Sequence, residues 1–150
     1  MSEHRAQTNW RRSTADFAYE SYNRGYELGF DGGPAVAASA APEFRGQAGQ
    51  PNPESTLVAA LSACHMLTFL AIAARKRLTL DSYSDDAVGH LEKNAVGKLA
   101  MTRAILRPHV VWAPGVTVSK DELDKLHRLA HAECFIANSV KTEVSVEPQA

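Results

Sequence analysis

The stretch "PNPESTLVAALSACHMLTFLAIAARKR", residues 51–77, decides the centre of the fold. Asn52 is a good helix N-cap, and Pro53 suits the first helical position, whose N–H has no intrahelical partner in any case. Arg75, Lys76 and Arg77 stand where cations favour a helix C-terminus. Between these signals, residues 57–74 are apolar except for Ser62, His65 and Thr68. The stretch therefore predicts one long central helix. Eighteen residues of helix reach ~27 Å against a hydrocarbon core of ~30 Å, so a membrane span has to be weighed. The three polar interruptions and the capped, charged flanks fit a helix enclosed by protein instead. At its middle sits Cys64, which is either a small buried hydrophobe or a reactive thiol.

Upstream, the chain reads as a β-meander. "FAYESY" (17–22) is followed by the turn "NRG", then "YELGF" (26–30) places Tyr26, Leu28 and Phe30 on one face, and "DGG" turns into "VAASA" (36–40). Residues 41–52 are rich in Pro, Gly and polar side chains and predict a loop. Downstream, "DSYSDD" reads as a connection, strands are expected at about 87–92 and 98–112 around "KNAVG", and "APGV" breaks the chain. Ser119 and Glu122 form a capping box for a second helix, on which Leu123, Leu126, Ala130 and Cys134 recur at helical spacing. Cys134 should therefore face inward. Residues 140–146 alternate as a half-buried strand. This order predicts an α+β fold of antiparallel sheets with two main helices. A central helix apolar on most sides needs more cover than one small sheet gives, which points to a homodimer.

The bulk numbers narrow the function. A chain of 150 residues suits one domain, 1–150, and 16 Lys+Arg against 17 Asp+Glu suggests no polyanionic partner such as nucleic acid. The start, "MSEHRAQTNWRR", has no apolar export region, so a cytoplasmic, reducing setting is expected. With only Cys64 and Cys134 there, a transient catalytic disulfide is more plausible than a permanent one.

Glu54 lies ten residues before Cys64, ~15 Å along one helix, too far for contact. If the two share a site, the carboxylate must come from a partner chain, as two antiparallel copies at a twofold axis would allow. Cys64 and Cys134 are 70 residues apart, and spacing leaves open both a redox pair and two inert thiols. His127, His131 and Cys134 follow at i, i+4 and i+7, a spacing that can present metal ligands, although a half-exposed polar helix edge accounts for it more simply. His65 adjoins Cys64, but consecutive helical residues point ~100° apart and do not pair.

"NPESTLVAALSACHMLTFLA" followed by "AHAECFIANSVKTEVSVE" resembles the osmotically inducible protein / organic hydroperoxide resistance (OsmC/Ohr) family. The shared pattern is an Asn-Pro-Glu helix start, a cysteine ten residues after the Glu, and a second cysteine near the end of a late helix; Asn52, Pro53, Glu54, Cys64 and Cys134 fit it. The resemblance implies an intertwined homodimer with long central helices, acting as a thiol-dependent peroxidase on organic hydroperoxides. It implies Cys64 as the peroxidatic thiol, Cys134 as the resolving thiol, no cofactor, and reset by an external dithiol, the lipoyl type being one candidate. It also implies an arginine that holds the thiolate and is itself held by Glu54. Arg45 in "EFRGQAG" is favoured for that role, with Arg24 in "NRG" as the alternative. His65, where an aromatic is common, and Phe135, where a proline is frequent, depart from the pattern.

The chemistry needs these groups for a reason. A thiol of ordinary pKa, about 8.5, is only a few per cent thiolate at neutral pH, and a neighbouring guanidinium raises that fraction. The apolar neighbours Met66, Leu67 and Phe69 would suit an alkyl or fatty hydroperoxide. The alternative class is a dimeric binding or structural protein of the same fold without turnover.

Overall fold

In the computed structural model, which describes all of Met1–Ala150, the chain forms two units, Met1–Thr56 and Leu57–Ala150. The first unit holds an antiparallel sheet of β1 (Ala6–Asn9), β2 (Tyr26–Phe30) and β3 (Val36–Ala38), with β2 central. The turn after β2 forms as expected. Asp31 and Gly32 take positive φ (39° and 77°), and the Gly33 N–H closes onto the Phe30 carbonyl at 2.7 Å.

The first strand is not "FAYESY". Residues 17–22 fold into a turn in which the N–H groups of Ser21 and Tyr22 both donate to the Ala18 carbonyl. An aromatic cluster explains the turn: Phe17 packs 5.7 Å from Trp10 and 5.2 Å from Tyr22. Asn23 ties it off, donating to the Arg11 carbonyl and accepting from the Ser13 N–H, while the Trp10 indole donates to the Asn23 carbonyl. The strand that replaces it, "AQTN", is exposed at all four positions and carries no apolar alternation.

The expected loop contains a short 3-10 turn, Pro42–Phe44, capped by Arg45 in the left-handed region (φ 65°). α1 (Pro53–Arg75) follows with the expected start. The Asn52 Oδ1 accepts from the Ser55 N–H at 2.8 Å, and the Ser55 Oγ accepts from the Asn52 N–H at 3.0 Å. The helix ends where Arg77 turns left-handed (φ 59°) and the Leu78 N–H returns to the Ala73 carbonyl.

In the second unit α1 buries one stripe, Leu61, His65, Phe69, Ile72 and Ala73. β4 (Leu80–Asp85) pairs antiparallel with β7 (Pro108–Trp112), and β6 (Leu99–Leu106) lies between β5 (Val88–Lys93), antiparallel, and β8 (Glu143–Val146), parallel. "LDSYSD" is thus a strand and not a connection, and the strand expected over 98–112 breaks at Arg107. The cause of the break is local. Pro108 has no N–H for the ladder, and the Arg107 N–H turns to the Asp85 carboxylate at 2.6 Å. The other oxygen of Asp85 accepts from Ser62 of α1 at 2.5 Å.

α2 (Lys120–Glu133) starts at the expected cap, the Ser119 Oγ accepting from the Glu122 N–H at 3.2 Å. Its Leu126 and Ala130 join Phe69, Ile72 and Ala73 in the core, with Tyr83, Val110 and Trp112 of the β4–β7 pair against them. The side chains of Ala63, Leu67 and Ala71, on the opposite face of α1, stay exposed. By length and composition α1 is apolar enough to cross a membrane, and only 28% of its most apolar window is buried in the single chain.

Candidate functional site

Cys64 and Cys134 converge. Cys64 leaves α1 on its half-exposed side, and Cys134 caps the C-terminus of α2, 1% exposed, as its place in the apolar stripe predicted. Both are free thiols, and they lie close enough that Cys64 acts on the Cys134 thiol. Burial pushes the Cys134 thiol above its usual range; the N–H of Ala137, 3.4 Å from the sulfur, pulls the other way, and Cys64 adds to the rise. Cys134 is therefore held as a neutral thiol.

Cys64 lines an open apolar groove of ≈ 700 Å³, whose walls include Ala60, Leu67, Leu129 and Phe135, with Arg75 and Glu133 at its margin. Leu67 is 61% exposed and Phe135 78% exposed. Phe69, expected beside the thiol, is instead wholly buried on the other side of α1. It stacks on His127 at 4.5 Å.

The histidines do something the sequence did not announce. His65 and His127 are 1% and 2% exposed, and their Nε2 and Nδ1 lie 3.0 Å apart, with the rings nearly parallel. Burial lowers His65 to about 4, helped by His127 and His131, and burial lowers His127 to about 4 against the pull of Asp124 and Asp85. Each ring is neutral, so one N–H donates to the other ring's lone pair. His127 is thus no half-exposed edge. His65 makes no pair with Cys64. No group of three His, Cys, Asp or Glu side chains is placed to hold a metal ion, because His127 is turned to His65 and Cys134 to Cys64. The one available signal was register: His65 lies four residues after Leu61 and four before Phe69, in the buried stripe.

In the first unit the two candidate arginines meet at one ring. Arg24 and Arg45 lie 5.2 and 5.7 Å from the centre of Tyr19. Arg24 is committed: it stacks on Tyr22 at 3.7 Å and donates to the carbonyls of Tyr22 and Tyr19. Arg45 is exposed and its guanidinium makes no hydrogen bond or ion pair. Glu54, in the first turn of α1, has a buried Oε2 with no hydrogen-bond partner. Neither arginine of its own chain pairs with it.

An α+β fold with two helices, each bringing one cysteine to a shared contact beside an apolar groove, defines a class of dithiol proteins. The chain belongs to the OsmC-like protein family, whose family model matches residues 46–149. Among solved structures it is similar to an OsmC-like protein of unknown function from Vibrio cholerae, with 44% identity, 99% of this chain and 100% of that chain covered, and a TM-score of 0.94. It shares its fold with an organic hydroperoxide resistance protein OsmC from Legionella pneumophila, at 18% identity, with 99% and 96% of the two chains covered and a TM-score of 0.72. The fold is also that of the organic hydroperoxide resistance protein OhrB of Bacillus subtilis, at 16% identity, with 99% and 98% covered and a TM-score of 0.71. No curated protein matches the chain by sequence.

Proposed function

We propose that the protein is a thiol peroxidase that reduces organic hydroperoxides to alcohols. The contact between a half-exposed thiol on an apolar groove and a buried, neutral thiol carries the reading. The Cys64 thiolate attacks the terminal peroxide oxygen; the O–O bond breaks, the alkoxide takes a proton and leaves as alcohol, and Cys64 becomes a sulfenic acid. Cys134 then displaces hydroxide from that sulfur, and with one proton the products are water and the Cys64–Cys134 disulfide. An external dithiol of the lipoyl type supplies two electrons and two protons by exchange and restores both thiols. The reducing interior of a cell would suit this cycle.

The active form is a homodimer. The exposed stripe of Ala63, Leu67 and Ala71 on α1 lines the same groove as Cys64, so a second copy of the helix packed about a twofold axis covers the stripe and turns the open groove into a pocket shared by both copies. Because Glu54 and Cys64 stand ~15 Å apart on one helix, Glu54 and an arginine of one copy serve Cys64 of the other. The unpartnered, buried Oε2 of Glu54 is the group a guanidinium would satisfy. Arg45 is preferred, since its guanidinium is uncommitted while that of Arg24 is spent on two carbonyls.

The test is a thiol count before and after one equivalent of tert-butyl hydroperoxide, with alcohol measured alongside. The wild type should lose both thiols and yield one alcohol. Cys64→Ser should yield none, and Cys134→Ser should yield one and then accumulate sulfinic acid on further oxidant. A wild type whose two thiols survive would instead favour a dimeric binding or structural protein of the same fold.

A further inference from the structure

Two pairs of side chains bring α1 and α2 together near the thiols. One is the thiol pair, and the other is the 3.0 Å hydrogen bond between His65 and His127. On α1 the two contact residues are consecutive, so their side chains leave the axis ~100° apart at almost the same height. On α2 they are seven residues apart, two turns along one face and ~10 Å from each other. A helix held at the histidine pair cannot slide along or roll over α1 without carrying Cys134 away from Cys64.

The other hydrogen bonds at the thiol end of α2 are local to that end and do not reach α1. Cys134 is the C-cap of the helix: its carbonyl accepts from the Asn138 N–H at 3.0 Å, its sulfur accepts from the Ala137 N–H at 3.4 Å, and the Asn138 amide donates to the Ala132 carbonyl at 3.0 Å. The histidine end, by contrast, is enclosed by Phe69 and Tyr83. The core also bears a burden for keeping histidines there, since His65 Nδ1 and His127 Nε2 are buried without partners. Apolar side chains would fill the same volume without those orphans, but they lack direction, and a hydrogen bond supplies it.

We propose that His65 and His127 are positioning residues for the Cys64–Cys134 redox pair: their hydrogen bond fixes α2 on α1 so that Cys134 stays within reach of Cys64. The inference rests on the two cysteines forming a disulfide, as in the function proposed above. It does not depend on what oxidises them.

The experiment equilibrates the full-length protein with mixtures of oxidised and reduced dithiothreitol and reads the disulfide by thiol labelling. In that exchange two protein thiols lose two electrons and two protons to the reagent disulfide. His127→Phe keeps a ring of similar volume and deletes the hydrogen bond, and it should lower the equilibrium constant for the protein disulfide at least tenfold, a rise of about 30 mV in reduction potential. His65→Phe, made from the other helix, should give the same loss. His127→Asn places an amide near the position of Nδ1 and should restore most of the wild-type value. Leu126→Ala, which removes packing from the adjacent buried position, should leave the potential unchanged. An unshifted potential in both Phe variants overturns the proposal, as does an equal shift in Leu126→Ala. If the wild type forms the disulfide with these shifts yet consumes no hydroperoxide, the peroxidase reading falls and the positioning role stands. A wild type that forms no disulfide in excess oxidised reagent removes both.

Discussion

Acid should unfold this protein through its buried histidine pair. His65 is held at about 4 against an ordinary value of 6.5, burial being the main cause. The unfolded chain therefore binds more protons than the folded one between those values, and stability rises with pH across that window. It is complete above about pH 6.5 and is lost as pH falls towards 4. A shift of about 2.5 units at 1.36 kcal/mol per unit amounts to about 3 kcal/mol for one ring. His127 is held at about 4 as well. Part of the His65 shift comes from His127, so the pair contributes less than twice that amount. Protonating both rings would also set two N–H donors against each other across the 3.0 Å contact. Losses of this size are a large share of a typical folding free energy of about 5–15 kcal/mol. The assay is urea unfolding followed by circular dichroism at fixed protein concentration, from pH 7.5 to 4.5, for the wild type and the double variant His65→Phe/His127→Phe. Both share every carboxylate, so the difference between their curves isolates the two rings. The wild type should lose about 3 kcal/mol or more relative to the double variant over that range. Parallel curves would refute the reasoning.

Arg45→Ala should move the labelling of Cys64 by iodoacetamide to higher pH in a Cys134→Ser background, while Arg24→Ala moves it little; the reverse pattern would transfer the role to Arg24. The Ala variant keeps a Cβ at the same left-handed backbone (φ 65°), so strain relief does not confuse the result. Gly89→Ala should destabilise by about 1–3 kcal/mol in urea titrations, because the new Cβ would lie 2.4 Å from Val58 Cγ2 and 2.5 Å from Met101 Cε, and only the methionine end yields easily. Gly46→Ala should cost at least about 3 kcal/mol, since its Cβ would fall 1.6 Å from the Ala40 carbonyl oxygen and meet unyielding backbone. Light scattering at micromolar concentration should give twice the chain mass; a monomer there would remove the idea that a second copy covers α1.

Much of the framework was legible because its signals act over a turn or two of chain. The bounds of α1 follow from Asn52, Pro53 and the cations at 75–77, and the start of α2 from Ser119 with Glu122. The inward face of Cys134 follows from its spacing to Leu126 and Ala130, and "DGG" announces its own turn through residues that tolerate positive φ. The two thiol-bearing segments were enough to identify the family.

What the tertiary structure decided are the elements whose reason lies far away in the chain. "AQTN" is a strand only because β2 lies beside it, and no apolar alternation betrays an exposed edge. "LDSYSD" is polar enough to pass for a loop, yet β7 supplies its ladder and Phe69 covers Tyr83 at 5.6 Å. "FAYESY" has the composition of a strand but is folded into a turn by Trp10 and Asn23. The site follows the same division. Each cysteine could be placed on its own helix from spacing alone, but the contact between them spans 70 residues, and the His65–His127 bond spans 62. Periodicity tells which face a residue takes, whereas its partner across the core depends on how two helices are set against each other, and that is determined by the whole buried interface at once.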